Sequence, residues 1–321
     1  MTENGEVNMK KGVLVHPQEL SVRWIEQAVR EGIDVLGLHP VGGPKAKDSC
    51  AALVQLLDDP EFLRLVDLAK EKGLTVEYEI HAMGWLLPRE LFKTHPEYFL
   101  MDEKGERNPA NNFCVCDEEA MEIVEKNAVE LAKKLHGSSH RFYFWLDDTA
   151  SLRCHCPKCA KLSGSDQQLL VVNRLAKALR KEFPDAQVPY LAYYGTLEPP
   201  TQVKPGEGVF LEYAPMAKYK RPDSDCYRTF VPMEQKYLVP LMEMFGRENT
   251  KVLEYWIDNS MYSNYTKPPK ILNVDPEQVK KDIAYYKALG IEDITTFGCY
   301  LGQDYEELYG EPDIRCYTQA F

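Results

Sequence analysis

The stretch from Phe144 to Cys159, FWLDDTASLRCHCPKC, sets two kinds of reactive group side by side. An aromatic run ends in adjacent carboxylates, Asp147 and Asp148, and a C-x-C-x-x-C triplet of Cys154, Cys156 and Cys159 follows. Paired carboxylates can donate and accept protons, whereas thiolates at this spacing are soft metal ligands. Three thiolates leave a tetrahedral zinc one ligand short. The upstream run NNFCVCDEE offers Cys114 or Cys116 as the fourth, with His155 as a substitute. Four thiolates make a closed, structural zinc site, while a catalytic zinc mixes in His or carboxylate and keeps a position open. An iron–sulfur cluster takes similar ligands, but no further motif points to one. Free buried or redox-active cysteines are the remaining reading. The chain has nine cysteines, of which Cys50, Cys226, Cys299 and Cys316 are scattered.

Positioning these groups requires a scaffold, and the chain alternates short apolar runs with amphipathic stretches from end to end. Strands are expected at 12–17, 34–40, 74–85, 141–148, 188–195, 209–215 and 251–258, with an eighth inside 291–300. Most are followed by a helical pattern, such as SVRWIEQAVREG with its Gly stop or DEEAMEIVEKNAVELAKKLHG. After the fifth strand the run TLEPPTQVKPGEG has Pro and Gly but no helical period. Eight strands with intervening helices predict an α/β fold, a (β/α)8 TIM barrel, with the fifth crossover helix short or absent and residues 1–321 forming a single domain. A doubly wound open sheet is the alternative. It would carry a Gly-rich phosphate turn after the first strand, and HPQELS is not one. No organic cofactor is therefore expected.

In such a barrel chemistry gathers at the C-terminal ends of the strands. The two-residue strand period puts Glu77, Glu79 and His81 on one face of the third strand, and Val76, Tyr78 and Ile80 on the other. Tyr143, Trp145 and Asp147 share a face of the fourth. Val252, Glu254, Trp256 and Asp258 share one on the seventh. The sixth contributes Glu212, with Tyr213 beside it. Aromatic faces and acids converging on one pocket suit a sugar, and hydrolysing a glycosidic bond takes two carboxyl groups. The catalytic candidates are Asp147 or Asp148 as general acid, and Glu254 or Asp258 as base or nucleophile. His81, Trp85, Tyr193, Glu212, Tyr213 and Trp256 are the expected substrate-binding side chains. The competing roles are structural. An acid after a strand also serves as a helix N-cap. Glu77 and Glu79 suit a buried network with Lys or Arg, and each aromatic suits a core position.

A net charge of −12, with 27% charged residues, argues against nucleic acid or an anionic membrane as partner. The first residues, MTENGEVNMKKG, contain no apolar signal segment, and no run is long enough to span a bilayer. A cytoplasmic location is expected. The oligomeric state is not legible.

Four stretches resemble the bacterial barrel family known as domain of unknown function 4838, a group related to glycoside hydrolases. They are HAMGWLLPRELFKTHPEYFLMDEKGERNPANNFCV, LDDTASLRCHCPKCAKL, VPYLAYYGTLEPP and VLEYWIDNSMYSN, spanning roughly residues 74–265. The resemblance implies a glycoside-hydrolase-like barrel, similar in layout to β-hexosaminidases and α-glucuronidases. It favours Cys114 over Cys116 as the fourth thiolate. The hexosaminidases carry an Asp-Glu pair after the fourth strand where this chain has Asp147-Asp148, which puts the acid's identity and any substrate-assisted chemistry in doubt. Two other functions stay open on sequence alone. One is a non-catalytic carbohydrate-binding barrel. The other is a metal-dependent hydrolase or lyase, against which the scarcity of His near strand ends counts.

Overall fold

The structure, a computed structural model, describes residues 9–149 and 153–321. The first eight residues, on which the signal-segment expectation partly rests, lie outside the described residues. So do residues 150–152 of the cysteine loop.

Among the described residues eight parallel strands form one sheet: β1 (Lys10–Val15), β2 (Val35–Leu38), β3 (Thr75–His81), β4 (Tyr143–Trp145), β5 (Val188–Ala192), β6 (Val209–Tyr213), β7 (Thr250–Glu254) and β8 (Asp293–Phe297). Their order is β4-β3-β2-β1-β8-β7-β6-β5. The register runs Gly12 to Val35 between β1 and β2, and Lys10 to Asp293 between β1 and β8. The two outer strands meet just below their named ends, where Phe142 N–H donates to Gln187 O at 2.8 Å and Gln187 N–H to His140 O at 2.8 Å. This parallel bridge nearly closes the barrel, and the (β/α)8 expectation holds.

The helices begin where the sequence supplies caps. α1 (Val22–Arg30) starts on Ser21, whose hydroxyl accepts from Trp24 N–H. After α2 (Ala46–Leu56), α3 (Pro60–Glu71) starts on Asp59 with Pro at its first position. One turn, α4 (Met83–Leu86), follows β3 directly. α5 (Glu118–Lys134) is capped by Asp117, and α6 (Gly164–Leu179) by a Ser163–Asp166 capping box. β5 is followed only by a 3-10 turn, as its Pro- and Gly-rich link predicted. α7 (Asp225–Phe245) follows β6 and starts on Ser224. α8 (Asn259–Tyr262) is a single turn, α9 (Pro276–Ala288) starts on Asp275, and α10 (Gln303–Tyr309) and α11 (Arg315–Thr318) are short. No helix among the described residues is long and apolar enough to cross a membrane.

Apolar side chains fill two layers. Val76, Tyr78, Ile80, Val252 and Trp256 pack outward under the helices. Inside the barrel Leu14, Tyr143, Trp145, Phe210, Leu253 and Phe297 interdigitate. The inner layer also contains a charge. Lys251 is 1% exposed and its ammonium lies 2.6 Å from Glu79, 3.3 Å from Glu212 and 3.7 Å from Glu77. It also stands 4.2 Å from the centre of the Tyr143 ring, whose hydroxyl donates to Glu77 at 2.7 Å. One cation cannot neutralise three carboxylates in a dry interior. Burial accordingly pushes Glu79 well above the usual carboxylate range and raises Glu212, with Lys251 opposing in both cases.

Lys251 fixes the facing of β7. Because Lys251 and Leu253 point into the barrel, Val252 and Glu254 must point out. The strand then stops at Glu254; Trp256 still packs outward with Val252, but the period does not carry through to Asp258, which turns inward at the strand ends. β3 likewise ends at His81, which leaves Trp85 on the α4 turn and not on a strand.

Replacing Lys251 by Met strands three buried carboxyl groups without their cation. The expected loss is about 3–5 kcal/mol of unfolding free energy, read from urea denaturation. An unchanged midpoint would contradict the network described.

Candidate active site

At the C-terminal ends of the strands lies a cleft of about 390 Å³. Four of the sequence-predicted residues line it: Asp148, Asp258, His81 and Tyr193. Trp145 forms part of its floor and is fixed from below, where its Nε1–H donates to Glu212 at 2.8 Å. Tyr193 donates its hydroxyl hydrogen to Asp148 Oδ1 at 3.1 Å. Asp258 accepts from Ser260 N–H at 3.1 Å and from Ser260 Oγ at 2.6 Å. Burial pushes the Asp258 carboxyl up to about 6, against the pull of those two bonds. Tyr255 lines the same cleft; it is buried, and its hydroxyl is raised well above the ordinary value by burial first and then by Asp148. Tyr255 stacks on Phe297 at 4.9 Å between centroids.

The remaining predicted residues are elsewhere. Asp147 turns away from the cleft. It makes a 2.5 Å ion pair with Arg89 and accepts from Asn112 N–H, while its own N–H donates to Asn112 Oδ1 at 2.8 Å. Glu254 faces outward beneath α9, where Lys218 at 2.6 Å, Tyr219 at 2.6 Å and Tyr286 occupy its oxygens. Glu212 is wholly buried beneath the cleft with Lys251 and Trp145. Tyr213 points outward and donates to Glu234 O at 3.0 Å. Trp256 is buried against Tyr317 and donates to Asp282 at 3.0 Å. Trp85 lines a separate surface groove. The cause in β6 and β7 is the inward Lys251, which puts the odd-numbered Tyr213 and the even-numbered Glu254 on outer faces.

Two further histidines complete the cleft. His16, His39 and His81 stand at the ends of β1, β2 and β3, with centroids 6.1 Å and 5.8 Å apart along the row. Each Nδ1 meets a backbone carbonyl one strand further on: His16 to His39 O at 2.8 Å, His39 to Glu79 O at 2.8 Å, and His81 to Leu146 O at 2.6 Å. A carbonyl only accepts, so each Nδ1 carries the hydrogen and Nε2 is the ring nitrogen left for a ligand. Burial lowers the pKa of His16 and drives that of His39 well down, so both act as neutral acceptors at pH 7. The sequence signal was there. Both of the first two strands end in His-Pro, and the proline stops the strand with His at the rim.

Several rim residues hold unusual backbone. The non-glycine residues at positive φ among those described are Asn112, Tyr194, Asn264, Tyr265 and Tyr300, all in segments that follow strands. Tyr265 (φ 57°) and Tyr300 (φ 64°) line the cleft mouth. Such conformations are costly for tyrosine and gather at ligand-contacting segments.

The thiolates assemble beside this face. The Sγ atoms of Cys114, Cys154, Cys156 and Cys159 all lie within 4.8 Å of one another, with Cys114 3.6 Å from Cys156 and 3.8 Å from Cys159. A tetrahedral zinc about 2.3 Å from each sulfur sets sulfurs about 3.8 Å apart, so the geometry fits a closed four-thiolate site. Two sulfurs accept backbone N–H groups, Cys154 from Met101 at 3.4 Å and Cys156 from Cys159 at 3.5 Å. Gln167 of α6 clamps the loop, accepting from Cys154 N–H at 2.8 Å and donating to the carbonyls of Cys154 and Cys159 at 3.0 and 3.1 Å. Cys116 and His155 are outside the set.

The fold matches known structures. The chain aligns with a β-galactosidase from the psychrophilic Marinomonas ef1 at TM-score 0.54 and 12% identity, covering 90% of this chain. It spans 54% of that enzyme's length. A structure described as a glycoside hydrolase aligns at TM-score 0.51 and 14% identity over 91% of this chain and 88% of the other. A trimodular endoglucanase of the GH5_4 subfamily aligns at TM-score 0.50 and 10% identity over 98% of this chain and 60% of its own. These likenesses show the fold, a (β/α)8 barrel. No curated protein sequence matches. A family model described as Domain of unknown function (DUF4838) matches residues 59–308, and the chain belongs to that family.

Asp147 is tied to Arg89 and Asn112, away from the cleft. Asp147→Asn should therefore cost about 1.5–3 kcal/mol of stability, the scale of lost hydrogen bonds to a charged group, by chemical denaturation. A variant as stable as the parent would contradict that role.

Proposed function

We propose that the protein hydrolyses a glycosidic bond, with Asp258 as general acid and Asp148 as base or nucleophile. The observation that carries this reading is the pair itself: two carboxyl groups line one aromatic cleft, and burial keeps one of them protonated to about pH 6. Asp258 protonates the leaving oxygen. Asp148, oriented by Tyr193, acts on the anomeric carbon directly or through water. Trp145 and Tyr255 offer faces for a sugar ring, and the Nε2 atoms of His16, His39 and His81 accept from its hydroxyls. A carbohydrate is the partner in this account. Compared with the sequence-based assignment, Asp258 moves from base to acid, and Asp147 and Glu254 leave the chemistry.

The test is the pH profile of kcat/KM on a panel of aryl glycosides and glycuronides. A general acid must carry its proton, so activity is present below about pH 6 and falls as pH rises through that value. Asp258→Asn and Asp148→Asn should each lower kcat/KM by about 10²–10⁴-fold with the fold intact by circular dichroism. Unchanged turnover in either variant would sink the assignment.

The second part of the reading is a structural zinc held by Cys114, Cys154, Cys156 and Cys159. When bound, the ion would join the loops after β3 and β4 and so steady the segment that carries Asp148. It takes no part in the bond cleavage. Elemental analysis of the purified chain should find about one zinc per chain that survives dialysis. Cys156→Ser should lose it together with thermal stability. A metal-free parent protein of normal stability would contradict the site.

A further inference from the structure

We propose that the cleft is the first station of a longer groove that binds a glycan chain, with Trp85 as a distal stacking platform. The proposal rests on the carbohydrate reading of the cleft and names its substrate class: an oligosaccharide, not a single sugar.

Three cavities adjoin one another through shared lining residues, from the cleft to the flank of α5. Beside the cleft is a second, of about 380 Å³, lined by Lys47, Arg89, Asn108, Asn111 and the floor residue Asp147. It shares Gly43 and Pro44 with the cleft, and the neighbouring residues Asp147 and Asp148 face one cavity each. Beyond it is a third, of about 420 Å³, lined by Trp85, Pro88 and Asn127, which shares Lys47 and Gly84 with the second. Glycine occurs at both joins. At Gly43 (φ 61°) an added Cβ would meet only the Asp148 carboxylate within 4 Å, so no side chain stands on that saddle. At Gly84 an added Cβ would come 3.2 Å from the Lys47 Cβ, so the two residues that both cavities share pack on each other and a side chain at that join would crowd Lys47.

The lining matches a polyhydroxylated chain better than an apolar one. The middle cavity offers two amides and two cations as hydrogen-bonding groups. Arg89 is already anchored by Asp147 and by Asn112 O at 2.6 Å, and is held in place. The far cavity offers a half-buried indole packed on the core, hence a rigid face for a ring. Trp85, which the sequence assigned to the catalytic pocket, thus keeps a sugar-binding role at a distance from it. Its signal, a tryptophan just past the third strand, was legible; its location was not.

The experiment is isothermal titration calorimetry of the intact chain carrying Asp148→Asn, to stop turnover, with cello-, xylo-, chito- and mannohexaose beside the matching disaccharides. At least one hexaose should bind on the order of tenfold tighter than its disaccharide, about the factor one stacked ring supplies. Trp85→Ala should remove that advantage and Trp85→Phe should keep most of it. Lys47→Ala, which removes an exposed ion pair with Glu90, should reduce it with the fold intact by circular dichroism. Equal affinity for short and long probes overturns the proposal. So does a length advantage that persists in both Trp85→Ala and Lys47→Ala, or no binding by any hexaose. The outcome separates from the hydrolysis reading. A hexaose bound through Trp85 but never cleaved by the parent protein leaves the groove and removes the chemistry. Aryl glycoside turnover with no length effect does the reverse.

Discussion

A single buried ammonium decides much of this molecule. Lys251 sits inside the barrel within reach of Glu79, Glu212 and Glu77. Burying it is costly, and only partners at hydrogen-bonding distance offset the cost. The consequences spread outward. Glu212, held by Lys251, holds in turn the Trp145 indole that floors the cleft. The inward Lys251 also sets the facing of β7, which sends Glu254 out to Lys218 and Tyr286. Acids that look alike in the sequence are thereby divided into those that belong to the fold and those left at the strand ends.

The strand ends are where the constraint relaxes. Past Glu254 the chain leaves the ladder, and Tyr255 and Asp258 swing into the cleft while Trp256 stays under the helices. Past Trp145 the same release parts two adjacent aspartates: Asp147 to Arg89 and Asn112, Asp148 to Tyr193. The histidine row obeys a different rule. Each ring is tied through Nδ1 to the carbonyl of the next strand, so the parallel register itself spaces the three imidazoles. The electrostatics of the cleft follow from burial. Neutral imidazoles and a carboxyl lifted to about 6 can share a site with an oriented aspartate.

Much of this was legible in the chain. Alternating apolar runs and capped amphipathic helices gave the barrel and the missing fifth helix. The C-x-C-x-x-C spacing led to the cluster that the structure closes with Cys114. The family match extends over 59–308, wider than the 74–265 stretch the motifs marked. The errors have a common origin. Period-two reasoning was carried past the end of β3, which misplaced Trp85, and was given the wrong phase on β7, which turned Glu254 and Trp256 inward. Glu254 was turned inward because the cation that the buried glutamates called for was not placed at Lys251, three residues before it on the same strand. His16 and His39 were passed over because each lay inside an expected strand drawn through the following proline, whereas that proline marks the rim. That Asp258 and Asp148 line one cleft is set by loop geometry, which no local pattern encodes.

The most direct test of the account is a crystal structure of the Asp148→Asn chain with a bound oligosaccharide. The account predicts a sugar ring against Trp145 and Tyr255, its hydroxyls within hydrogen-bond reach of the histidine Nε2 atoms, and its anomeric carbon between residue 148 and the Asp258 carboxyl. A sugar seated away from both positions, or one whose glycosidic oxygen lies beyond the reach of Asp258, would contradict it.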